Sequence, residues 1–420
     1  MKRILLRARR DPFEVVDADS TIRQNLIGNN VGNLVFSLAA YKALRSTGAE
    51  VSVDGFGADP ADADRINESF DAYVIPLANA FRASFEPQLI RMTRLIERLK
   101  IPVVILGVGA QSNLRYELEP LAPLDRSVRE FVSAVLDRSP SIGVRGEFTA
   151  TYLRSLGFGD VEVIGCPSMF LHGDRLDLRP VPALDRDTRM AVNISPYVKA
   201  MGRVVETHRK RYPNLVYVAQ DLETLALLAH GDRHPQDDGK NRNPVDRSHP
   251  LLREDRVLFF LDPLPWMRFL AERELSFGTR IHGNITSLLA GTPAYVFAHD
   301  SRTVELARYF EIPYSPMNAL TAQTDIATLV EAADYGPLVR NHRARYETYV
   351  GYLARNGLAD GIFDPERSAA FGAELGAIAF PPAVHAYAGG AGSELAAGIR
   401  RLKRHRWVRR VRKVVARIRP

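Results

Sequence analysis

Residues 101–110 read Ile101-Pro102-Val103-Val104-Ile105-Leu106-Gly107-Val108-Gly109-Ala110. An unbroken apolar run over 102–108, closed by small residues, marks a strand buried on both faces, which belongs in a parallel sheet. Working outward, 50–54 and 72–77 predict strands before it, and 141–144 and 161–164 predict strands after it. Leu89, Ile90, Met92, Leu95, Ile96 and Leu99 recur at helical spacing, and a further helix is expected at 147–156. The basic start, Met1-Lys2-Arg3-Ile4-Leu5-Leu6, has no long apolar stretch and reads as a first strand rather than a signal peptide. Strands alternating with helices are parallel βαβ units. The second half repeats the pattern, with strands at 191–195, 215–219, 257–261, 275–277 and 294–298 and helices at 198–211, 223–228 and 284–290. The expectation is an α/β chain of two Rossmann-like domains facing a cleft, at 1–175 and 188–378. Helices return at 325–333 and 336–355. Residues 379–392, with Pro381-Pro382 and Gly389-Gly390-Ala391-Gly392, form a linker to a tail at 393–420.

Charge separates that tail from the body. The chain of 420 residues carries a net +7, yet residues 400–420 hold eleven Lys and Arg and no acid. Removing those eleven from +7 leaves −4 for residues 1–399. A mildly acidic body excludes a nucleic-acid surface over the whole protein. With Cys166 as the one cysteine, an intramolecular disulfide is impossible and a reducing compartment is allowed. The ten histidines show no metal-ligand spacing; His230 and His234 lie four apart in a polar stretch, 230–255, which reads as a long loop that is either disordered or a cover for part of the cleft.

Several motifs fall at the ends of expected strands, where ligands of open α/β sheets sit. Gly28-Asn29-Asn30-Val31-Gly32-Asn33 opens a helix and reads either as a capped turn or as an anion-holding loop with Asn30 and Asn33 at the cleft. Gly107-Val108-Gly109-Ala110-Gln111 is either a compact turn or a place where backbone approaches a ligand, with Gly109 giving room and Gln111 at the rim. Arg145 follows a strand and is placed to fork a carboxylate or phosphate, or is a surface charge. The sharpest segment is Phe277-Gly278-Thr279-Arg280-Ile281-His282-Gly283-Asn284. In extended backbone Arg280 and His282 share a face: a cation for an anionic substrate beside a group for proton transfer. Gly283 then admits a substrate, and the helix beginning at Asn284 points at it. Asp221 and Glu223 after 215–219 are either bases or helix caps. Asp300 reads as a cap, with Arg302 as a second anion contact. Ser195 ends a strand at the cleft. Cys166 reads as a packed residue at the domain junction.

Arg280-Ile281-His282-Gly283, together with Gly28–Asn33, Gly107–Gln111, Val144-Arg145, Gly165-Cys166-Pro167-Ser168, Asn193-Ile194-Ser195, Gln220-Asp221 and Ala290-Gly291-Thr292-Pro293, resembles the polysaccharide pyruvyl transferase family over roughly residues 20–315. The resemblance implies a GT-B type fold and transfer of a pyruvyl group from phosphoenolpyruvate, a co-substrate rather than a cofactor, to two hydroxyls of a sugar in a cell-surface or exopolysaccharide glycan. It implies that Arg280 and His282 hold the donor, with Arg145 beside them; Gly283, Asn284 and Arg302 join the expected donor site by their position in the sequence. His282 is then the acid–base group or a donor to the phosphate, and Asp221 or Glu223 the base on the acceptor side. The family's first loop commonly ends in Gly-Asp, where this chain has Gly32-Asn33. No metal and no nucleic acid is expected. The competing readings are a GT-B glycosyltransferase using a nucleotide sugar and a non-catalytic, membrane-associated glycan-binding protein.

In the tail, Trp407, Val408, Val411, Val414, Val415 and Ile418 recur on one face of a helix that Ser393 would cap. A basic amphipathic helix with a tryptophan suits an anionic membrane surface, and each Lys or Arg there contributes about 1 kcal/mol. The expected partner is therefore a lipid surface through residues 400–420, with the protein cytoplasmic and peripheral on the inner face of the plasma membrane, next to a lipid-linked oligosaccharide acceptor. Removal of residues 393–420 is expected to move the protein from membrane to soluble fractions while turnover on a soluble acceptor persists. Unchanged fractionation contradicts the anchor.

Overall fold

The computed structural model describes residues 1–321, 323–358 and 364–386; residues 387–392 of the expected linker and all of the basic tail lie outside the described residues. The first sheet is built from β1 (Arg3–Leu6), β2 (Glu50–Val53), β3 (Ala72–Pro76) and β4 (Val103–Leu106), all parallel in the order β2-β1-β3-β4. β5 (Ile142–Val144) and β6 (Val161–Val163) pair with each other and extend it through a bridge between Val108 and Val144. The second sheet comprises β7 (Met190–Asn193), β8 (Val216–Ala219), β9 (Val257–Phe259), β10 (Leu275–Gly278), β11 (Ala294–Ala298) and β12 (Tyr314–Pro316), again all parallel. Its order, β12-β11-β10-β7-β8-β9, reverses direction between β7 and β10. That is a doubly wound, Rossmann-like sheet, and its ligand position is the crevice at the reversal.

β4 shows why the apolar run is continuous. Val104 and Leu106 enter one core while Val103 and Ile105 enter another, and all four are fully buried. Successive side chains of a strand point to opposite faces, so a strand with helices on both sides has no position left for a polar residue. The first of these cores runs on from the helix Gly32–Ser46 of the first unit into the second sheet, so the two units share apolar packing.

Backbone also stitches the units together. Asn30 bridges Asp221, and Val31 N donates to Gln220 O at 2.9 Å. The helix His342–Arg355 returns to the first sheet, where Tyr352 donates to Ile105 O at 2.6 Å and accepts from Gly143 N at 3.0 Å. The expected helix over 336–355 is two helices, Gly336–Arg340 and His342–Arg355, broken at Asn341. The helix expected from Asn284 starts at Ile281. β12 escapes sequence patterning because it is three residues long and has no apolar run. Residues 231–249 contain no helix or strand, but they are tied down: the Asn241 and Asn243 side-chain amides both donate to Pro196 O. No helix among the described residues is long and apolar enough to cross a membrane.

A buried carboxyl completes the junction. Glu305, on the helix Ser301–Phe310, accepts from Thr149 N at 2.7 Å and from Thr149 Oγ1 at 3.1 Å in the first unit. Burial raises it from the usual 4.5 to about 7, against those hydrogen bonds and nearby Arg145. The folded value exceeds the unfolded one, so the stability linked to this proton is fully present below about pH 4 and is lost as pH rises through 7. Glu305→Gln keeps the acceptor for Thr149 N and removes the charge. The expected result in denaturation at several pH values is a gain on the order of 2–3 kcal/mol at pH 8 that vanishes toward pH 4. An equal effect at both pH values contradicts the buried-carboxyl account.

Candidate functional site

Both sheets present their carboxyl ends to one cleft of about 840 Å³. From the first unit come Asn30, Asn33, Asn79, Arg82, Gln111 and Arg145; from the second come Ser195, Tyr197, Gln220, Asp221, Glu223, Arg280, His282, His299 and Arg302. His234, Pro235 and Gln236 of the polar loop line it as well, so the loop forms part of the wall.

Arg145 directly follows β5 and is 2% exposed. Its Nε donates to Gly107 O at 3.4 Å, and its Nη2 is buried without a partner. Burial lowers its pKa most, yet a guanidinium stays charged in proteins. Gly109 explains how it fits. A Cβ there would lie 2.4 Å from Arg145 Cδ, so Gly109 makes room for the arginine and does not itself line the cleft.

Arg280 caps the N-terminus of the helix Ile281–Leu289 in extended conformation, with φ −93° and ψ 108°. The expected extended Arg-x-His does not form, because the helix has already begun and His282 sits in its first turn. The two residues line the same cleft by a different route. No side chain caps this helix, so its first-turn N–H groups are left for a ligand. Arg280 Nε donates to Ile194 O at 3.2 Å, and Nη2 lies 3.5 Å from Asp221 Oδ2.

The side-chain position of Gly283 and the Asn284 amide face inward rather than into the cleft. A Cβ on Gly283 would meet Gln220 Nε2 at 2.4 Å, so the glycine admits a neighbouring side chain rather than a substrate. Asn284 is fully buried, accepting from Asn193 Nδ2 at 2.8 Å and donating to Gly278 O at 3.1 Å. It ties β7, β10 and the helix together.

Asp221 is also recast. It caps the helix Leu222–His230, with Oδ1 accepting from Thr224 N at 2.9 Å and Thr224 Oγ1 at 2.7 Å, and 3.2 Å from His234 Nε2. Burial pushes its carboxyl up, but His234, Arg280 and Thr224 together hold it below the usual value. With its oxygens so engaged it is a poor base; it is the charge partner of Arg280. Glu223 is exposed at the rim.

His282 reaches across to the first unit. Its ring stacks on Phe36 with centroids 6.2 Å apart, and a Cβ on Gly32 would lie 2.7 Å from His282 Cβ. Burial, then repulsion from Arg145, pushes it down to about 3, so the imidazole is neutral in the free protein. Asp300 caps its helix through a capping box and pairs with Arg302. Asn30 Oδ1 accepts from Gly32 N, and Asn33 donates to Gly28 O, so both loop asparagines also build their own turn.

The sequence reading leaves out Arg82, Asn79, Tyr197, His234, Gln220 and His299 as site residues. Arg145 directly follows β5, but Arg82 comes well after the end of β3 at Pro76, so the signal that singled out Arg145 does not pick it out. Arg82 donates to Asn79 O, and with the Asn79 amide turned to face them, Arg82 Nη1 and Arg302 Nη1 both lie 2.9 Å from its oxygen. In the opposite orientation of the amide, Asn79 Nδ2 donates to Gln111 Oε1 at 3.0 Å. Burial, then Arg302 and Arg145, pushes Arg82 down to about 10. Ser195 Oγ and Gln220 Nε2 are buried in the cleft wall without partners, as is His299 Nδ1, while His299 Nε2 lies 3.1 Å from the Tyr197 hydroxyl. Among the described residues, no group of three or more His, Cys, Asp or Glu side chains is arranged to hold a metal ion.

Similar solved structures include a UDP co-structure of MnaA from S. aureus (12% identity, 91% of this chain and 99% of that chain, TM-score 0.41). A Methanocaldococcus jannaschii UDP-GlcNAc 2-epimerase in complex with UDP-GlcNAc and UDP is 10% identical over 82% of this chain and 97% of that chain, with TM-score 0.44. Anabaena HepE in complex with UDP and glucose is 11% identical over 90% of this chain and 100% of that chain, with TM-score 0.42. No curated protein sequence matches the chain. The polysaccharide pyruvyl transferase family model matches residues 30–301, from the asparagine loop at the cleft to the helix behind β11, and the chain belongs to that family.

Proposed function

We propose that the cleft binds phosphoenolpyruvate and transfers its pyruvyl group to two hydroxyls of one sugar, releasing phosphate and leaving a cyclic ketal. The family supports the coarser part, a transferase of polysaccharide biosynthesis acting on a sugar or polysaccharide. The observation that carries the donor is the convergence of Arg82, Arg145, Arg280 and Arg302 on one cleft, with Arg145 Nη2 buried and unpartnered. Phosphoenolpyruvate carries a phosphate and a carboxylate, and guanidinium forks match both. Gln220 Nε2, Ser195 Oγ and the open first turn at Ile281 supply neutral donors to the same oxygens.

One acid–base group is sufficient for the chemistry. The bound anion charges His282, whose imidazolium gives its proton to the methylene carbon and leaves C2 an oxocarbenium. The first sugar hydroxyl bonds to C2 and yields its proton to His282. That proton goes to the phosphate as its bond to C2 breaks, and the second hydroxyl closes the ring, returning a proton to His282. Two C–O bonds form to the sugar, one C–O bond to phosphate breaks, and His282 ends as it began. Asp221 keeps Arg280 aimed at the cleft. The basic tail, by its composition, brings this chemistry to a lipid-linked acceptor at an anionic membrane.

The test is phosphate release from phosphoenolpyruvate as a function of added glycan acceptors, with UDP-sugars as the parallel arm and mass spectrometry of the product. The expected result is phosphate release that needs an acceptor and a product heavier by one ketal-linked pyruvate. His282→Gln is expected to lose about 10²–10⁴-fold in kcat, and Arg280→Lys nearly as much donor affinity as Arg280→Ala, since an ammonium cannot fork. UDP release with no phosphate release overturns the proposal.

A further inference from the structure

The donor site proposed above does not use every cation of the cleft. Arg7 lines it too, directly after β1, and is partly exposed. Its guanidinium carbon lies 4.1 Å from the centroid of the Phe56 ring. Asp54, the carboxylate whose charge reaches Arg7, is committed to other donors. Its Oδ1 accepts from Ala8 N at 3.2 Å and from Phe56 N at 2.9 Å, and its Oδ2 from the Tyr73 hydroxyl at 2.6 Å. Among the described residues no acid pairs with the Arg7 guanidinium and no hydrogen bond fixes it. The acids on the cleft wall, Asp221 and Glu223, both belong to the second unit.

We infer that Arg7 anchors a second anion subsite, separate from the donor site, which takes a phosphate or carboxylate group carried by the acceptor sugar. Three observations carry this. The first is distance. Arg7 directly follows β1 and Arg145 directly follows β5, which lies beyond β3 and β4, a separation of roughly 14 Å at the usual spacing of strands. Arg7 leans away from β5, over Phe56 after β2, while Arg145 is held at Gly107 O. Phosphoenolpyruvate carries both of its anionic groups on C2, so one donor molecule does not reach both arginines. In keeping with this, Arg302 and Arg145 repel Arg82, whereas the charges that act on Arg7 are those of Tyr73 and Asp54. The second is orientation. A guanidinium stacked on an aromatic face keeps its N–H edge free in its own plane, and that edge is what forks an oxyanion. The third is the support beneath it. Phe56 has a φ of 59°, a left-handed conformation that is costly for a bulky residue and persists where its surroundings impose it. Asp54 holds its amide, and a Cβ on Gly28 would lie 2.7 Å from its ring. Arg9 donates to both Asn25 O and Gly55 O, which brings the paired Asn25 and Asn29 amides beside Phe56, neutral groups suited to sugar hydroxyls.

The inference rests on the assignment of the other arginines to phosphoenolpyruvate, so its first measurement needs no turnover. Arginine Nε–H NMR of the isotopically labelled full chain is followed during titration with inorganic phosphate, the Arg7 signal being the one lost in Arg7→Gln. The expected result is a saturable shift of that signal which persists in Arg280→Ala. An Arg7 signal that does not move, or that moves only while Arg280 is present, overturns the inference. The second measurement compares glycan acceptors carrying a phosphate, a carboxylate or neither. Arg7→Gln is expected to raise the KM for a charged acceptor about tenfold or more, with the KM for phosphoenolpyruvate changing far less; the acceptor that responds identifies the anion. Equal losses of donor and acceptor affinity place Arg7 in the donor site and overturn the inference, as does a neutral acceptor used as well as the charged ones by the unmodified protein. If the Arg7 signal responds to phosphate while no form of the protein releases phosphate from phosphoenolpyruvate, the anion subsite stands and the function proposed above falls.

Discussion

Five guanidinium groups line one cleft, those of Arg7, Arg82, Arg145, Arg280 and Arg302, and they outnumber Asp221 and Asp300, which pair with two of them, and Glu223 at the rim. Like charges this close oppose each other, and Arg82 shows the consequence, pushed down to about 10 by burial and by Arg302 and Arg145. Arg145 is the extreme case, a buried cation with an orphan nitrogen. Such an arrangement persists when a ligand supplies the missing charge. An ion pair at about 4 Å in a partly solvated cleft is worth up to ~4 kcal/mol before desolvation is subtracted.

The fold makes this convergence possible. Parallel strands all end at the same edge of a sheet, so an arginine placed after each of several strands reaches the same crevice. Here the edges of two such sheets face each other. Arg82 and Arg145 come from one, Arg280 and Arg302 from the other. The stitching at Asn30–Asp221 and at Thr149–Glu305 holds the edges together, and the helix His342–Arg355 returns to lock the second unit against the first. His282 depends on the same junction, because its ring packs on Phe36 and Cys166 of the opposite unit.

Most of the sheet framework was legible in sequence, since strands buried on both faces leave continuous apolar runs such as 102–108 and 294–298. β12 was not, because a three-residue edge strand needs no such run. Among the site residues, Arg145, Arg280, His282, Arg302, Gln111 and Ser195 line the cleft, having been singled out by their place after strands. Gly109, Gly283 and Asn284 pack against neighbouring side chains: a small or amide residue beside a ligand motif looks alike whether it admits substrate or admits a neighbouring side chain, and only packing separates the cases. Asp221 shows the same ambiguity between base and cap, settled by Thr224, His234 and Arg280 around it. Arg82, His234 and the Cys166–His282 contact depend on long-range approach that local patterns do not encode.

The central claim is that this cationic cleft takes an anionic donor that charges a neutral His282. It is tested most directly by calorimetric titration of the full chain with phosphoenolpyruvate at neutral pH, in buffers of differing ionisation heat. The account predicts saturable binding with uptake of about one proton, since His282 starts at a pKa of about 3 and ends charged; that uptake disappears in His282→Gln. Absence of phosphoenolpyruvate binding, or binding with no proton uptake in the unmodified protein, would contradict it.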